Sequence, residues 1–136
     1  MIIKTDDELR RLLSDARVIA IVGLSSNTSR PSNVVAKYLM AHGYTIIPVN
    51  PAEQEILGQK CYASLAEIPQ KIDIVDCFRK SDDIPPLAQA AINIGAKSLW
   101  MQLDVINEEA AQQATAAGLD VVMDRCTKIE HARLLA

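Results

Sequence analysis

The run Val18-Ile19-Ala20-Ile21-Val22, ended by Gly23, constrains the fold more than any other stretch of this chain. Five apolar, mostly β-branched residues with no polar alternation fit a strand covered on both faces, as in parallel sheets flanked by helices. The run is therefore expected to be the first and central strand of a sheet, and the covering helices must come from the segments around it. Before it, Thr5 and Glu8 have the spacing of a capping box, and Leu9, Leu12, Leu13 and Ala16 fall on one helical face. After it, Ser32 to His42 carries Val35, Tyr38 and Leu39 at helical spacing, with Ser32 as the expected cap and Gly43 as the stop.

The alternation continues. Tyr44 to Val49 reads as a strand, followed by a broken region with room for one short helix, then Ile72 to Phe78 as a strand. Pro85 and Pro86 suit the first turn of a helix that runs to Ile94 and closes at Gly95. Ser98 to Met101 is the next strand. Asn107 caps a helix with Glu108 and Glu109 at its positive end, and Gly118 stops it before the strand Val121-Val122-Met123. A last helix contains His131.

Strands separated by helices require crossover connections and build a parallel sheet. The expected fold class is α/β: a Rossmann-like doubly wound parallel sheet of about five strands, helices on both faces, in a single domain spanning residues 1–136. Length agrees, because 136 residues suffice to bury roughly two thirds of the unfolded surface in one core. The 49% hydrophobic and 23% charged content is ordinary for a folded domain.

Several function classes are disfavoured. Fourteen basic against seventeen acidic residues leave a net charge of −3, which gives no general attraction to nucleic acid. Near Met1, Lys4 is followed by Asp6, Asp7 and Glu8, and no apolar stretch approaches the ~20 residues of a membrane span, so a cytoplasmic protein is expected. Three cysteines, Cys61, Cys77 and Cys126, cannot all pair internally and are expected to be thiols. Asp73, Asp76 and Asp124 have no histidine or cysteine at ligand spacing, so no metal site is expected.

Ligands of doubly wound sheets bind beyond the carboxyl ends of the strands. The candidates are the residues just after each strand: Gly23 to Arg30, Val49 to Pro51, Phe78 to Lys80, Gln102, and Asp124 to Cys126. In the first loop, backbone N–H groups of Gly23, Leu24, Ser25 and Ser26 and the start of a helix near Ser32 favour an anion such as a diphosphate. Hydroxyls of Ser25, Ser26, Thr28 and Ser32 add donors, and Arg30 offers a charged fork. The same serines and threonines also fit a solvated turn with Ser32 as an ordinary cap.

The fingerprint G-x-G-x-x-G is absent, since Gly23 is the only glycine of this loop. The second strand ends in Val49-Asn50-Pro51 where an NAD site would place an acidic residue, and Glu53 lies close but out of position. Both features point away from NAD.

At these residues the chain resembles a known family. Ile21-Val22-Gly23-Leu24-Ser25 with Arg30-Pro31-Ser32, then Pro48-Val49-Asn50-Pro51 and Ile56-Leu57-Gly58, are similar to the stand-alone bacterial and archaeal CoA-binding proteins. Those in turn look like the amino-terminal domain of the succinyl-CoA synthetase alpha subunit. Ile72-Asp73-Ile74-Val75, Phe78-Arg79, Gly95-Ala96-Lys97, Leu99-Trp100-Met101-Gln102 and Asp124-Arg125-Cys126 extend the match over nearly the whole chain. One departure stands out: the family often has glycine after the strand bearing the tryptophan, and this chain has Leu103-Asp104-Val105. A left-handed turn is costlier there without glycine.

The resemblance implies that coenzyme A or an acyl-CoA is the ligand. Its diphosphate would lie at Gly23, Leu24, Ser25, Ser26 and the helix near Ser32, with Arg30 nearby. Val49, Asn50 and Pro51 would border the adenosine, and Phe78, Arg79, Lys80 and Gln102 the remainder. It also implies no catalytic site, because the synthetase uses a phosphorylated histidine and partner domains without counterpart in this chain. His42 and His131 read as surface or capping residues, and Trp100 as core. Cys77 and Cys126 fall at the ligand edge, where Arg125 and Lys128 flank Cys126 and a mixed disulfide with the CoA thiol is conceivable chemistry. The competing readings are an NAD(P)-dependent oxidoreductase and a protein-interaction domain without a ligand. The protein partner is not legible.

Overall fold

The computed structural model describes residues 1–136. Its order is α1 (Asp6–Asp15), β1 (Val18–Val22), α2 (Pro31–Ala41), β2 (Thr45–Val49), β3 (Glu55–Ile56), β4 (Gln59–Lys60), β5 (Ile74–Cys77), α3 (Ile84–Asn93), β6 (Ser98–Met101), α4 (Glu108–Ala116), β7 (Asp120–Val122) and α5 (Thr127–Leu134). Five strands form one parallel sheet in the order β2-β1-β5-β6-β7, and β3 pairs with β4 in a separate antiparallel hairpin. The Rossmann-like α/β expectation holds. The first strand is interior, but β5 occupies the middle of the sheet.

Side-chain alternation along the strands divides the core in two. Ala20, Val22, Val75, Cys77, Leu99 and Met101 pack on the layer of α3 and α4, whose alanines 88, 91, 110 and 114 are fully buried and let the helices approach closely. Ile19, Ile21, Ile74 and Trp100 pack on the opposite layer with Leu9 and Leu13 of α1 and Val35 and Leu39 of α2. Trp100 is core, as expected, and its indole N–H donates to the Arg125 carbonyl at 2.7 Å.

The helix caps vary in how closely they follow expectation. Thr5 and Glu8 form the capping box of α1, and Asn107 caps α4 by accepting from the Ala110 N–H. Ser32 is not a cap. Pro31, with its fixed φ, opens α2 one residue earlier, and Arg30 stands at the cap position without a side-chain bond. The broken region after β2 holds the hairpin and a single 3-10 turn at Leu65–Glu67, not an α-helix.

Both sheet edges are covered. Tyr62 exchanges hydrogen bonds with Pro48 and Asn50 along β2, an edge strand where a proline is tolerated. At the other side Ile2 bridges Val121, the Ile3 N–H donates to the Val121 carbonyl at 2.8 Å, and the Val121 N–H donates to the Met1 carbonyl at 2.9 Å. No helix is long and apolar enough to cross a membrane.

Candidate functional site

The sequence order reverses between β1 and β5, so the crevice beyond the carboxyl ends of these neighbours is where such a sheet accepts a ligand. Gly23 fixes its floor. It has φ +86°, and a Cβ there would come 2.4 Å from the Phe78 carbonyl oxygen and 3.5 Å from the Arg79 side chain. Only glycine permits this approach of two backbones. The Gly23 N–H donates to the Val49 carbonyl and the Phe78 N–H to the Val22 carbonyl, both at 2.9 Å, so the end of β1 is held from both sides.

The first loop is more internally bonded than its composition suggests. Ser32 Oγ accepts from the Ser25 N–H at 3.0 Å, and Ser25 Oγ accepts from the Asn27 N–H at 3.1 Å. Ser26 Oγ donates to Glu53 Oε1 at 2.8 Å, so the acidic residue set aside in the sequence reaches the loop from beyond β2. The N–H groups of Leu24, Ser26 and Ser32 have no intramolecular acceptor. Of these, Leu24 is fully buried, while Ser26 is exposed and Ser32 lies in the first turn of α2, where N–H groups have no partner within the helix.

Beyond β2 the expected contacts separate. Val49 is buried in the core, and Asn50 is used structurally: its Nδ2 donates to the Leu24 carbonyl at 3.0 Å and its Oδ1 accepts from the Ala52 N–H at 2.9 Å. Pro51 is exposed. Arg30, Arg79 and Lys80 are exposed and enter no ion pair. These three free cations surround the crevice of a chain that is acidic overall.

On the far side of Phe78 lies a cavity of about 670 Å³ between the start of α2 and the loops after β5, β6 and β7. Pro31, Val35, Phe78 and Val105 give it apolar walls, Arg79 and Lys80 stand at it, and Gln102 and Cys126 also line it. The loop after β6 makes its left-handed turn without glycine: Asp104 has φ +67°. Its N–H donates at 2.7 Å to Oδ1 of Asp124, itself at φ +58°, so two aspartates brace one another across the loops. Aspartate is among the non-glycine residues that adopt this conformation with least strain.

Asp76 went unassigned in the sequence. It is fully buried, with no cation paired to it, and is held by Gln102 Nε2 at 2.6 Å and Thr127 Oγ1 at 3.2 Å. Burial pushes its carboxyl up to about 7, against the two hydrogen bonds that lower it. Three elements supply this cluster, so no local sequence pattern marks it.

The cysteines divide. Cys77 faces the α3–α4 core rather than the crevice, and burial pushes its thiol up. Cys126 does reach the cavity, but its flanking cations are engaged elsewhere: Arg125 pairs with Glu130 at 2.7 Å, and Lys128 lies over the Tyr38 ring. His42 closes α2, with Nδ1 2.8 Å from the Tyr38 carbonyl. His131 is buried rather than superficial, with Nδ1 2.8 Å from the Tyr38 hydroxyl, beside His42 and Tyr44.

Residues 17–132 match the family model described as CoA binding domain. Over 125 residues the chain is 42% identical to the uncharacterized protein YneT of Bacillus subtilis, covering 92% of this chain and 93% of that one. A solved structure of a hypothetical protein from Pyrococcus horikoshii OT3 superimposes with a TM-score of 0.95 at 44% identity, over 98% of this chain and 94% of that one. The acetate–CoA ligase (ADP-forming) I of Archaeoglobus fulgidus is 25% identical over 120 residues. That match takes in 81% of this chain but only 18% of the ligase.

Proposed function

Because this chain belongs to the CoA binding domain family, we propose that it binds coenzyme A or an acyl-CoA across the β1–β5 crevice as a non-catalytic module. The diphosphate takes the free N–H groups of Ser26 and Ser32 and the positive end of α2, with Arg30 as its side-chain partner. The adenosine runs toward Asn50 and Pro51. The pantetheine arm passes Phe78 into the cavity between the loops after β5 and β6.

The observation that carries this reading is the concentration of unpaired positive groups at one strand end: open amides, a helix N-terminus, and the three free cations Arg30, Arg79 and Lys80. The region shared with the acetate–CoA ligase is a small part of that enzyme's length, and the binding step alone is assigned to this chain. A dinucleotide reading has one observation on its side, the Glu53 carboxylate at the loop, which could hold ribose hydroxyls.

Calorimetric titration of the reduced protein with CoA, with NAD and NADP in parallel, separates these. Heat with CoA alone, and about tenfold weaker binding in Arg30→Ala, is the expected result for loss of one charge-assisted contact. A folded protein that takes up no CoA would overturn the proposal, and uptake of NAD in its place would select the dinucleotide reading.

A further inference from the structure

The cavity beyond Phe78 contains one polar side chain that is buried, anchored at one end and open at the other. Gln102 is 4% exposed and lines the cavity. Its Nε2 donates to Asp76 Oδ1 at 2.6 Å and to Thr127 Oγ1 at 3.0 Å, while Thr127 Oγ1 donates to Asp76 Oδ2 at 3.2 Å. An ionised carboxylate only accepts, so the amide nitrogen must face Asp76 and both its hydrogens are used there. Oε1 is therefore turned away from Asp76. It has no partner in the protein and is not among the sealed, unpartnered atoms, so it opens on the cavity.

Fixing an amide in this way uses a carboxylate with no compensating cation, which is costly to bury. The register neighbours of Asp76 are uncharged, Ile21 on β1 and Trp100 on β6. Cys77 beside it is held as a thiol, with Arg79 one residue beyond Phe78. On α5, Glu130 pairs with Arg125 and Arg133, and His131 bonds Tyr38. Nothing else in the molecule uses the Asp76 charge.

We infer that Gln102 is a specificity-determining residue whose Oε1 accepts a hydrogen bond from an amide N–H of the ligand's pantetheine arm, with Asp76 and Thr127 as positioning residues. The inference rests on the CoA reading above. Solvent satisfies this acceptor in the unbound protein, but a ligand that displaces the solvent must donate in its place, and the ionised phosphates of CoA do not. The arm offers amide N–H groups separated by methylenes, which match an acceptor set among the apolar walls of Val35, Phe78 and Val105. The orienting charge on Asp76 is fully present only above neutrality, because burial raises its carboxyl to about 7.

The test is titration at pH 8 with CoA, acetyl-CoA and adenosine 3′,5′-bisphosphate, which lacks the arm, on wild type and Gln102→Leu. The variant is expected to lose about tenfold in affinity for CoA and acetyl-CoA alike, and nothing for the bisphosphate. A second readout is the pH profile of CoA affinity. From pH 8 to 6 the wild type is expected to weaken relative to Asp76→Asn, since the ligand's own ionisation acts equally on both proteins. Should Gln102→Leu unfold because it strands the Asp76 carboxylate, Asp76→Leu combined with Gln102→Leu serves the same comparison. If CoA binds wild type and Gln102→Leu leaves that binding unchanged, or weakens the bisphosphate equally, the Gln102 assignment falls alone. A loss confined to CoA and absent for acetyl-CoA would make the thiol the donor and overturn the amide assignment. If no ligand binds wild type, the CoA reading itself falls.

Discussion

Asp73 stands just before β5 and Asp76 lies within it near its carboxyl end, and the two edges of the sheet treat them in opposite ways. At the amino edge, Asp73 accepts from the Arg17 and Val18 N–H groups at 2.8 and 2.9 Å and faces Lys97 at 3.7 Å. Its partial burial works to raise its pKa, yet the Val18 and Arg17 donors and the Lys97 charge outweigh that and hold the carboxyl below its ordinary value. At the carboxyl edge, Asp76 has two neutral donors and no cation, and burial prevails. One edge satisfies its charge completely and ties α1 to the sheet. The other leaves a charge under-compensated beside a cavity, as expected of a surface adapted to a ligand rather than to stability.

The contrast fixes the sign of the pH dependence at each edge. For Asp76, whose folded pKa lies above its unfolded one, the contribution to stability is complete below about pH 4 and is lost as pH rises through about 7. For Asp73 the contribution is present above the ordinary carboxyl range and is lost as pH falls through its lowered value. Asp76→Asn is therefore expected to stabilise the protein by up to about 4 kcal/mol at pH 8 and by about a third of that at pH 5, measured by urea unfolding. Equal gains at both pH values would break the contrast.

Gly23→Ala is expected to cost about 3 kcal/mol, from the clash with the Phe78 carbonyl together with the left-handed φ, and to remove the heat of CoA titration. A stable variant that still binds CoA would mean that the carboxyl edge has no fixed floor. Asp73→Asn is expected to cost about 2 kcal/mol at pH 7 through its weakened charge-assisted bonds, with CoA affinity unchanged and the deficit shrinking toward pH 3. A change in affinity would show that the edges are coupled. The smallest effect is a gain of about 1 kcal/mol in Asp104→Gly, which relieves a left-handed residue while keeping the N–H that binds Asp124. Loss of stability there would make the Asp104 side chain a required part of the loop.

Legibility in the sequence followed the range of the interactions. Val18–Val22 announced itself because a doubly covered strand needs an unbroken apolar run, and Thr5 and Asn107 because a cap bonds within three residues. Ser32 misled because hydroxyl residues at a helix start serve several purposes, and Pro31 decided the boundary. The hairpin of β3 and β4 has two residues per strand, too few for a period to show. In the crevice, Gly23 and the start of α2 were readable from one contiguous segment. Gln102 was visible as a position after a strand, but its partners Asp76 and Thr127 lie 26 and 25 residues away, and only the fold brings them together. Cys77 was assigned to the ligand edge by position, whereas strand alternation turns its side chain into the core.

The pairing of Ile2 and Ile3 with Val121 also bears on the timing of synthesis. Ile2 and Ile3 complete the sheet against a strand made more than a hundred residues later, and Arg133 of α5 then clamps Asp6 at the start of α1 at 2.8 Å. A chain emerging from the ribosome must hold Ile2 and Ile3 uncommitted until β7 is released. The ends of β1 and β5 are made before that, but Cys126 and Thr127, which complete the cavity and anchor Gln102, follow β7, so both flanks of the domain close at the same late stage.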